Sequence, residues 1–308
     1  MSQRRSGTLK GLRYGRGVIG KHLFRIRERH VAEHLVPLMK SGAVGAAKLD
    51  LVLRGIALLP AHAGAREPGL VLPRYRWEQL HDLARTSDTL GSDPPDVDSS
   101  SEVVRLKRKW VSVQLTRLEN LGLVRRRPRP GRRPQLIVLS DDGLGGRFDD
   151  PDGTAGNSYV SILGGLISSG TLASWGAPEL SFYLAAMVAE RLDAYRAEAG
   201  GNSSSRLGAG AWFRPLGWFA DTERVRPAQH VRIPFSVPTL ERGLSKLEDA
   251  GLVTHKRITH NPHSRARLSG PRNLYTNRFH TLDDPKQRLD AATYREEMQR
   301  LDEDSDNE

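Results

Sequence analysis

VQLTRLENLGLV at residues 113–124 and RGLSKLEDAGLV at residues 242–253 are one pattern written twice, 129 positions apart. Six of the twelve positions are identical: Leu115/Leu244, Leu118/Leu247, Glu119/Glu248, Gly122/Gly251, Leu123/Leu252 and Val124/Val253. Three more keep their chemistry: Thr116/Ser245, Arg117/Lys246 and Asn120/Asp249. Leucines three apart lie on one face of a helix, so each copy predicts a helix with a buried stripe. The glycine follows the last turn, where a left-handed residue is wanted. Leu-Val then opens a strand.

Working outward from the first copy, its helix is predicted over residues 103–121. Residues 49–64 are apolar with a helical rhythm, and residues 75–86 form a second amphipathic helix around Tyr75, Trp77, Leu80 and Leu83. Between them and the repeat lies an acidic loop, 87–102, with five acids, two prolines and no base. Short β-like runs at 123–128 and 135–139 flank the turn composition Arg129-Pro-Gly-Arg-Arg133. The second copy has the same setting. A helix is predicted over 178–196, a Gly/Ser loop over 200–211 and a short helix around 216–224. The repeat helix begins at Ser236, an N-cap residue with Pro238 in the first turn. Strands at 252–260 and 272–280 bracket a second turn-rich tip.

Lys and Arg outnumber Asp and Glu by 47 to 36 in the 308 residues, and the pI is about 10.2. Such a balance favours a polyanionic partner. There is no cysteine, which excludes disulfides and thiolate metal sites. No apolar run approaches the roughly 18 residues of a membrane helix, and no apolar secretory segment follows the N-terminal charges. Aromatics make up only 6% of the chain, which argues against a base-stacking surface for single strands. Residues 1–30 hold nine Lys/Arg against one acid, with five glycines between 7 and 20, and read as a flexible basic arm. From Asp283 onward ten acids face four bases.

Both repeats resemble the segment that joins recognition helix to wing in winged helix-turn-helix proteins, LxxLExxGLV followed by basic residues. The tandem arrangement resembles plasmid replication initiators built of two such domains. The resemblance implies an α+β, mainly helical fold: two winged-helix domains, each of three helices plus a β-hairpin wing. The expected division is a basic arm over 1–44, a first domain over 45–140, a linker over 141–157, a second domain over 158–282 and an acidic tail over 283–308. The implied function is sequence-specific binding of double-stranded DNA in replication initiation at plasmid origin repeats. The expected setting is cytoplasmic, on nucleoid or plasmid, with the replication machinery as a further partner. The chain would act as a monomer or homodimer, with no membrane, cofactor or metal.

Charge concentrates where such contacts would form. Residues 101–140 contain eleven bases and two acids, and residues 241–280 contain eight bases, three acids and four histidines. Helical phase turns Val111, Leu115 and Leu118 inward, and Lys109, Ser112, Val113 and Thr116 outward. Lys109, Ser112, Gln114, Thr116 and Arg117 are the candidate contacts of the first helix. Thr239, Arg242, Ser245 and Lys246 are those of the second, with Arg242 the leading base reader because arginine can hold guanine with two bonds. The wing residues Arg125, Arg127, Arg129, Arg132, Arg133, Lys256, Arg257, Arg265 and Arg267 are expected on phosphates or in the minor groove.

Other readings are weaker. Gly15–His22, GRGVIGKH, nearly matches a phosphate loop but lacks the Ser/Thr for magnesium and an apolar strand before it. His255, His260 and His263 have no nearby carboxylate to complete a metal set. No nicking motif or Ser/His/Asp signature stands out, so no enzyme is expected. A transcription or partition regulator would use the same DNA contacts. A nucleoid-type or RNA-associated structural protein would use bulk charge alone.

Overall fold

Both copies of the repeat fold as helix, left-handed glycine and strand. The computed structural model describes residues 23–57, 70–71, 77–85, 99–130, 132–148, 159–199, 211–212, 216–220, 235–260 and 267–279. The described chain opens with strand β1 (Leu23–Arg27) and helix α1 (residues 28–40), whose middle, Val31–Leu35, is a π-helical stretch. Then come α2 (Val44–Ala57), β2 (Leu70–Val71), α3 (Trp77–Ala84), α4 (Ser99–Asn120) and the hairpin β3 (Val124–Arg129) and β4 (Arg132–Val138). The second half comprises β5 (Tyr159–Leu163), α5 (Gly164–Ser168), α6 (Thr171–Ser174) and α7 (Ala177–Ala199). It continues with β6 (Ala211–Trp212), α8 (Gly217–Ala220), α9 (Val237–Asp249), β7 (Val253–His260) and β8 (Arg267–Asn277). The class is α+β, with long helices and small antiparallel sheets.

The repeat helices α4 and α9 stop in the same way. Gly122 and Gly251 take φ of +67° and +69°. Gly122 N donates to Glu119 O at 2.9 Å and Leu123 N to Leu118 O at 3.0 Å. Gly251 N and Leu252 N do the same to Glu248 O and Leu247 O, at 2.8 and 2.9 Å. These paired bonds close the last helical turn and satisfy carbonyls that the helix itself leaves open. Each strand that follows joins a three-stranded antiparallel sheet of matching order, β2-β4-β3 in the first half and β6-β8-β7 in the second. Each hairpin carries a register shift near its tip, between Arg127 and Arg129 and between Ile258 and His260.

Ser236 has the extended backbone of an N-cap, but its hydroxyl bonds the Thr239 hydroxyl at 2.7 Å instead of capping an amide. α4 begins at Ser99, inside the stretch read as an acidic loop, and residues 87–98 lie outside the described ones. The first hairpin turn is shorter than expected, because Arg129 and Arg132 pair across β3 and β4.

The expected basic arm, 1–44, needs correction. From Leu23 onward it is folded: β1 pairs antiparallel with β5, and Phe24, Ile26, Val31, Leu35 and Met39 are buried. Arg25, Arg27 and Arg29 mark the open positions of an alternating run. Arg25 lies over the Tyr159 ring at 4.7 Å, and Arg27 ion-pairs with Asp141. The expected linker, 141–157, is likewise tied down where it starts. Asp141 is 3% exposed and Phe148 is buried; residues 149–158 lie outside the described chain. One continuous hydrophobic cluster includes Leu115 and Leu118 of α4 together with Leu240 and Leu247 of α9.

Inside that core sits a charged group of side chains. Asp50 Oδ2 accepts from Arg54 Nε at 2.9 Å and lies 2.7 Å from His30 Nε2. Arg54 Nη1 reaches Leu139 O at 3.3 Å, and His30 Nδ1 lies 3.2 Å from Asp141 O. Burial pushes the Asp50 carboxyl up, but Arg54 and His30 more than reverse this and hold it well below the usual carboxylate range. The group ties α1 and α2 to the segment that leaves the first hairpin.

Candidate nucleic-acid interface

Helix α4 carries two kinds of basic residue. In its first half, Arg105 pairs with Glu102, Lys107 with Asp82 and Arg108 with Glu78. Beyond Arg108 this matching ends. Lys109 and Arg117 are exposed and have no ion-pair partner among the described residues. The same holds for Arg125 and Arg129 of β3, Arg242 of α9, Lys256 and Arg257 of β7 and Arg267 of β8; Arg129 is half-buried and the rest are exposed. Cations left without acids along two equivalent helix–hairpin units make a surface suited to a polyanion. Arg127 is exposed and keeps contacts of its own.

Arg126, which the sequence reading passed over, organises the outer face of α4. Its Nε donates to Glu119 Oε2 at 2.7 Å, and its backbone N donates to Glu119 Oε1 at 2.8 Å. Nη2 reaches Thr116 Oγ1 at 2.9 Å and Nη1 reaches Ser112 Oγ at 3.4 Å. Burial raises the Glu119 carboxyl, and the bonds from Arg126 more than compensate, so it sits below its ordinary value. In the second copy Glu248 meets His255, the residue 129 positions after Arg126. The repeat offset was the available signal: a helix glutamate is followed seven residues later by a base in both copies. Because Thr116 Oγ1 also donates to Ser112 O at 3.1 Å, these two hydroxyls are largely engaged within the protein.

Gln114, a candidate DNA contact in the sequence, is only 6% exposed and instead accepts from Arg117 Nη1 at 3.0 Å. It lies against the first turn of α2, where a Cβ on Gly45 would stand 3.5 Å from its side-chain carbon. Val113, by contrast, is 44% exposed on the open face, and Arg242 occupies the equivalent place on α9. Arg242 Nε donates to Pro238 O at 3.2 Å, leaving its terminal nitrogens without a described partner. Ser245 is exposed and Thr239 half-buried. Lys246 bonds Glu179 of α7 at 2.7 Å, so part of its charge is committed to holding α9.

The backbone places Arg132 and Arg133 in β4, but their side chains, like Arg265, lie outside the described ones. So do the phosphate-loop-like residues 15–22, the acidic tail and His263. Among the described residues no group of three or more His, Asp or Glu could hold a metal ion, and no helix is long and apolar enough to cross a membrane. No protein-family model, no curated protein and no solved structure matches the chain.

Proposed function

We propose that this chain binds double-stranded DNA in a sequence-specific manner through two winged-helix units, and that it acts as a replication initiator at repeated origin sites. α4 and α9 are the groove-reading helices, and the hairpins β3–β4 and β7–β8 are the wings. The observation that carries the reading is the set of exposed cations without acidic partners on α4, β3, α9, β7 and β8, at repeat-related elements. Neighbouring bases elsewhere on α4 are paired, so the bare ones are not explained by general solubility. Two readers that differ in outer-face residues, Val113 in one and Arg242 in the other, suit an asymmetric or imperfectly repeated site. No enzymatic role is part of this reading.

The test compares duplex and single-stranded oligonucleotides, then selects a preferred duplex and footprints it. Arg242→Ala should cost roughly 1–3 kcal/mol on the selected site and much less on random DNA. Arg125→Ala with Arg129→Ala should weaken both DNAs alike, because phosphates are everywhere. Single strands binding as well as duplex, or a charge-driven complex with no discrete footprint, would remove the proposal. Loss of a plasmid whose origin carries the selected site when Arg242→Ala is introduced would support the replication role.

A further inference from the structure

Beside α4, on the face of Trp110, Gln114 and Arg117, lies a pocket of about 350 Å³. It is bounded by α2, by α4 and by the turn between α6 and α7, so it joins the two halves of the chain. Lys48, Arg85, Arg117 and Gln114 supply its polar groups and Trp110 and Trp175 also border it, with Arg85 standing over the Trp110 ring at 5.9 Å. No carboxylate lines it.

Lys48 is the informative residue. Its side chain is only 6% exposed, and Nζ donates to Ala173 O at 2.8 Å and Trp175 O at 2.7 Å. An ammonium has three donors, so one remains. No carboxylate among the described residues lies within ion-pair distance of Lys48 or of Arg117. Glu179, whose charge reaches Lys48, bonds Lys246 and the Gly176 amide instead. A buried cation without an opposite charge is costly, and a protein that keeps one beside a cavity gains when an anion enters. The first turn of α2, Val44 and Gly45, also borders the space, where amides have no acceptor within the helix.

We propose that this pocket binds a small phosphorylated ligand of mononucleotide size, its phosphate held by Lys48, Arg117 and the first turn of α2 and its planar base against Trp110 and Trp175. The volume falls in the range of small-ligand sites, which favour junctions between units. A lone inorganic anion would leave the tryptophan wall empty, and an uncharged ring would leave Lys48 uncompensated. This inference does not depend on DNA binding.

Two of the five tryptophans line the pocket, so the full chain reports occupancy by its own emission. Each of AMP, GMP, CMP and UMP is titrated, with the matching nucleosides, inorganic phosphate and a short duplex as further arms. At least one monophosphate should give a saturable change, and its nucleoside should bind about tenfold or more weakly. Arg117→Ala should weaken that monophosphate by about tenfold at an unchanged melting temperature, and Lys48→Met should abolish it. Should Lys48→Met fail to fold, Arg117→Ala decides the matter. No saturation by any monophosphate up to about 10 mM, equal binding of nucleoside and monophosphate, or an Arg117→Ala variant that binds as well would each overturn the proposal. A response to the duplex alone would overturn it too, by assigning the pocket to a backbone phosphate.

Discussion

Alanine at Gly122 and alanine at Gly251 should cost different amounts, although the two glycines end equivalent helices with φ of +67° and +69°. The backbone penalty is shared: a side chain in the left-handed region costs about 1–2 kcal/mol. At Gly251 a Cβ would meet nothing within 4 Å, so that penalty is the whole effect. At Gly122 the same Cβ would stand 2.5 Å from Gly143 O and 3.2 Å from Gly143 C. Ordinary contact begins near 3.4 Å, so the loop would have to retreat by about 0.9 Å. That loop is held at several points. Ser140 N donates to Gly146 O at 3.0 Å, Arg27 N donates to Asp141 Oδ2 at 2.8 Å, and Gly143 lies against the His34 ring. Forcing atoms into packed surroundings costs a further 1–3 kcal/mol or so. Gly122→Ala should therefore lose roughly 2–5 kcal/mol and Gly251→Ala about 1–2 kcal/mol. Urea unfolding of both variants, compared at a common m-value, measures the difference. Equal losses, or a milder Gly122→Ala, would refute the reasoning that the 141–148 segment is packed against the end of α4.

At Gly243 a Cβ would lie 2.2 Å from Pro178 O and 2.9 Å from Phe182 Cβ, so Gly243→Ala should lift α9 from α7, destabilise by about 1–3 kcal/mol and weaken DNA binding; an unchanged melting temperature would contradict it. Val113, standing where α9 has Arg242, should read a thymine methyl: replacing the critical thymine by uracil should cost wild type about 0.8 kcal/mol and Val113→Ala much less. A scan of single thymine-to-uracil changes that never distinguishes the two proteins would exclude this contact. Burial, helped by Arg85, pushes Lys48 down to about 8 from 10.5, so between those values the unfolded chain holds a proton that the folded chain has released. Stability should then rise with pH across that window, by at most about 3 kcal/mol from this group, and Lys48→Met should flatten the rise. Matching slopes in wild type and variant would show that Lys48 does not titrate as a buried amine.

What was legible in the sequence is local. The leucine stripe, the terminal glycine and the strand that follows are set within about fifteen residues, and they appear twice with the same helix-ending hydrogen bonds. What was not legible is the partner of each charged residue. Arg25 and Arg27 read as an arm because the strand that pairs with them, Tyr159–Leu163, lies more than 130 positions away. Nothing in the composition of the apolar run around them marks Asp50, Arg54 and His30 as charges that neutralise one another in the core. Gln114 was misplaced because the buried arc of α4 is widened by α2, a contact that phase alone does not report. Arg126 was missed because its role depends on reaching back across seven residues to Glu119.

These non-local contacts change what the tandem arrangement means. A basic arm and a loose linker would leave two readers free to find half-sites at varied spacing. Instead β1 pairs with β5, Arg27 and His30 hold Asp141, and the α4 and α9 leucines belong to one hydrophobic cluster. Separating the two helices would expose that shared core, whose burial stabilises by about 25 cal/mol per Å². On the proposed function, α4 and α9 are thus presented as one unit, and a DNA target matched to it would tolerate little change in the distance between its halves. The pocket that contains Lys48 lies in this same junction, touching α2 and α4 on one side and α6 with the turn before α7 on the other. A ligand there would act on part of the junction that joins α4 to α9.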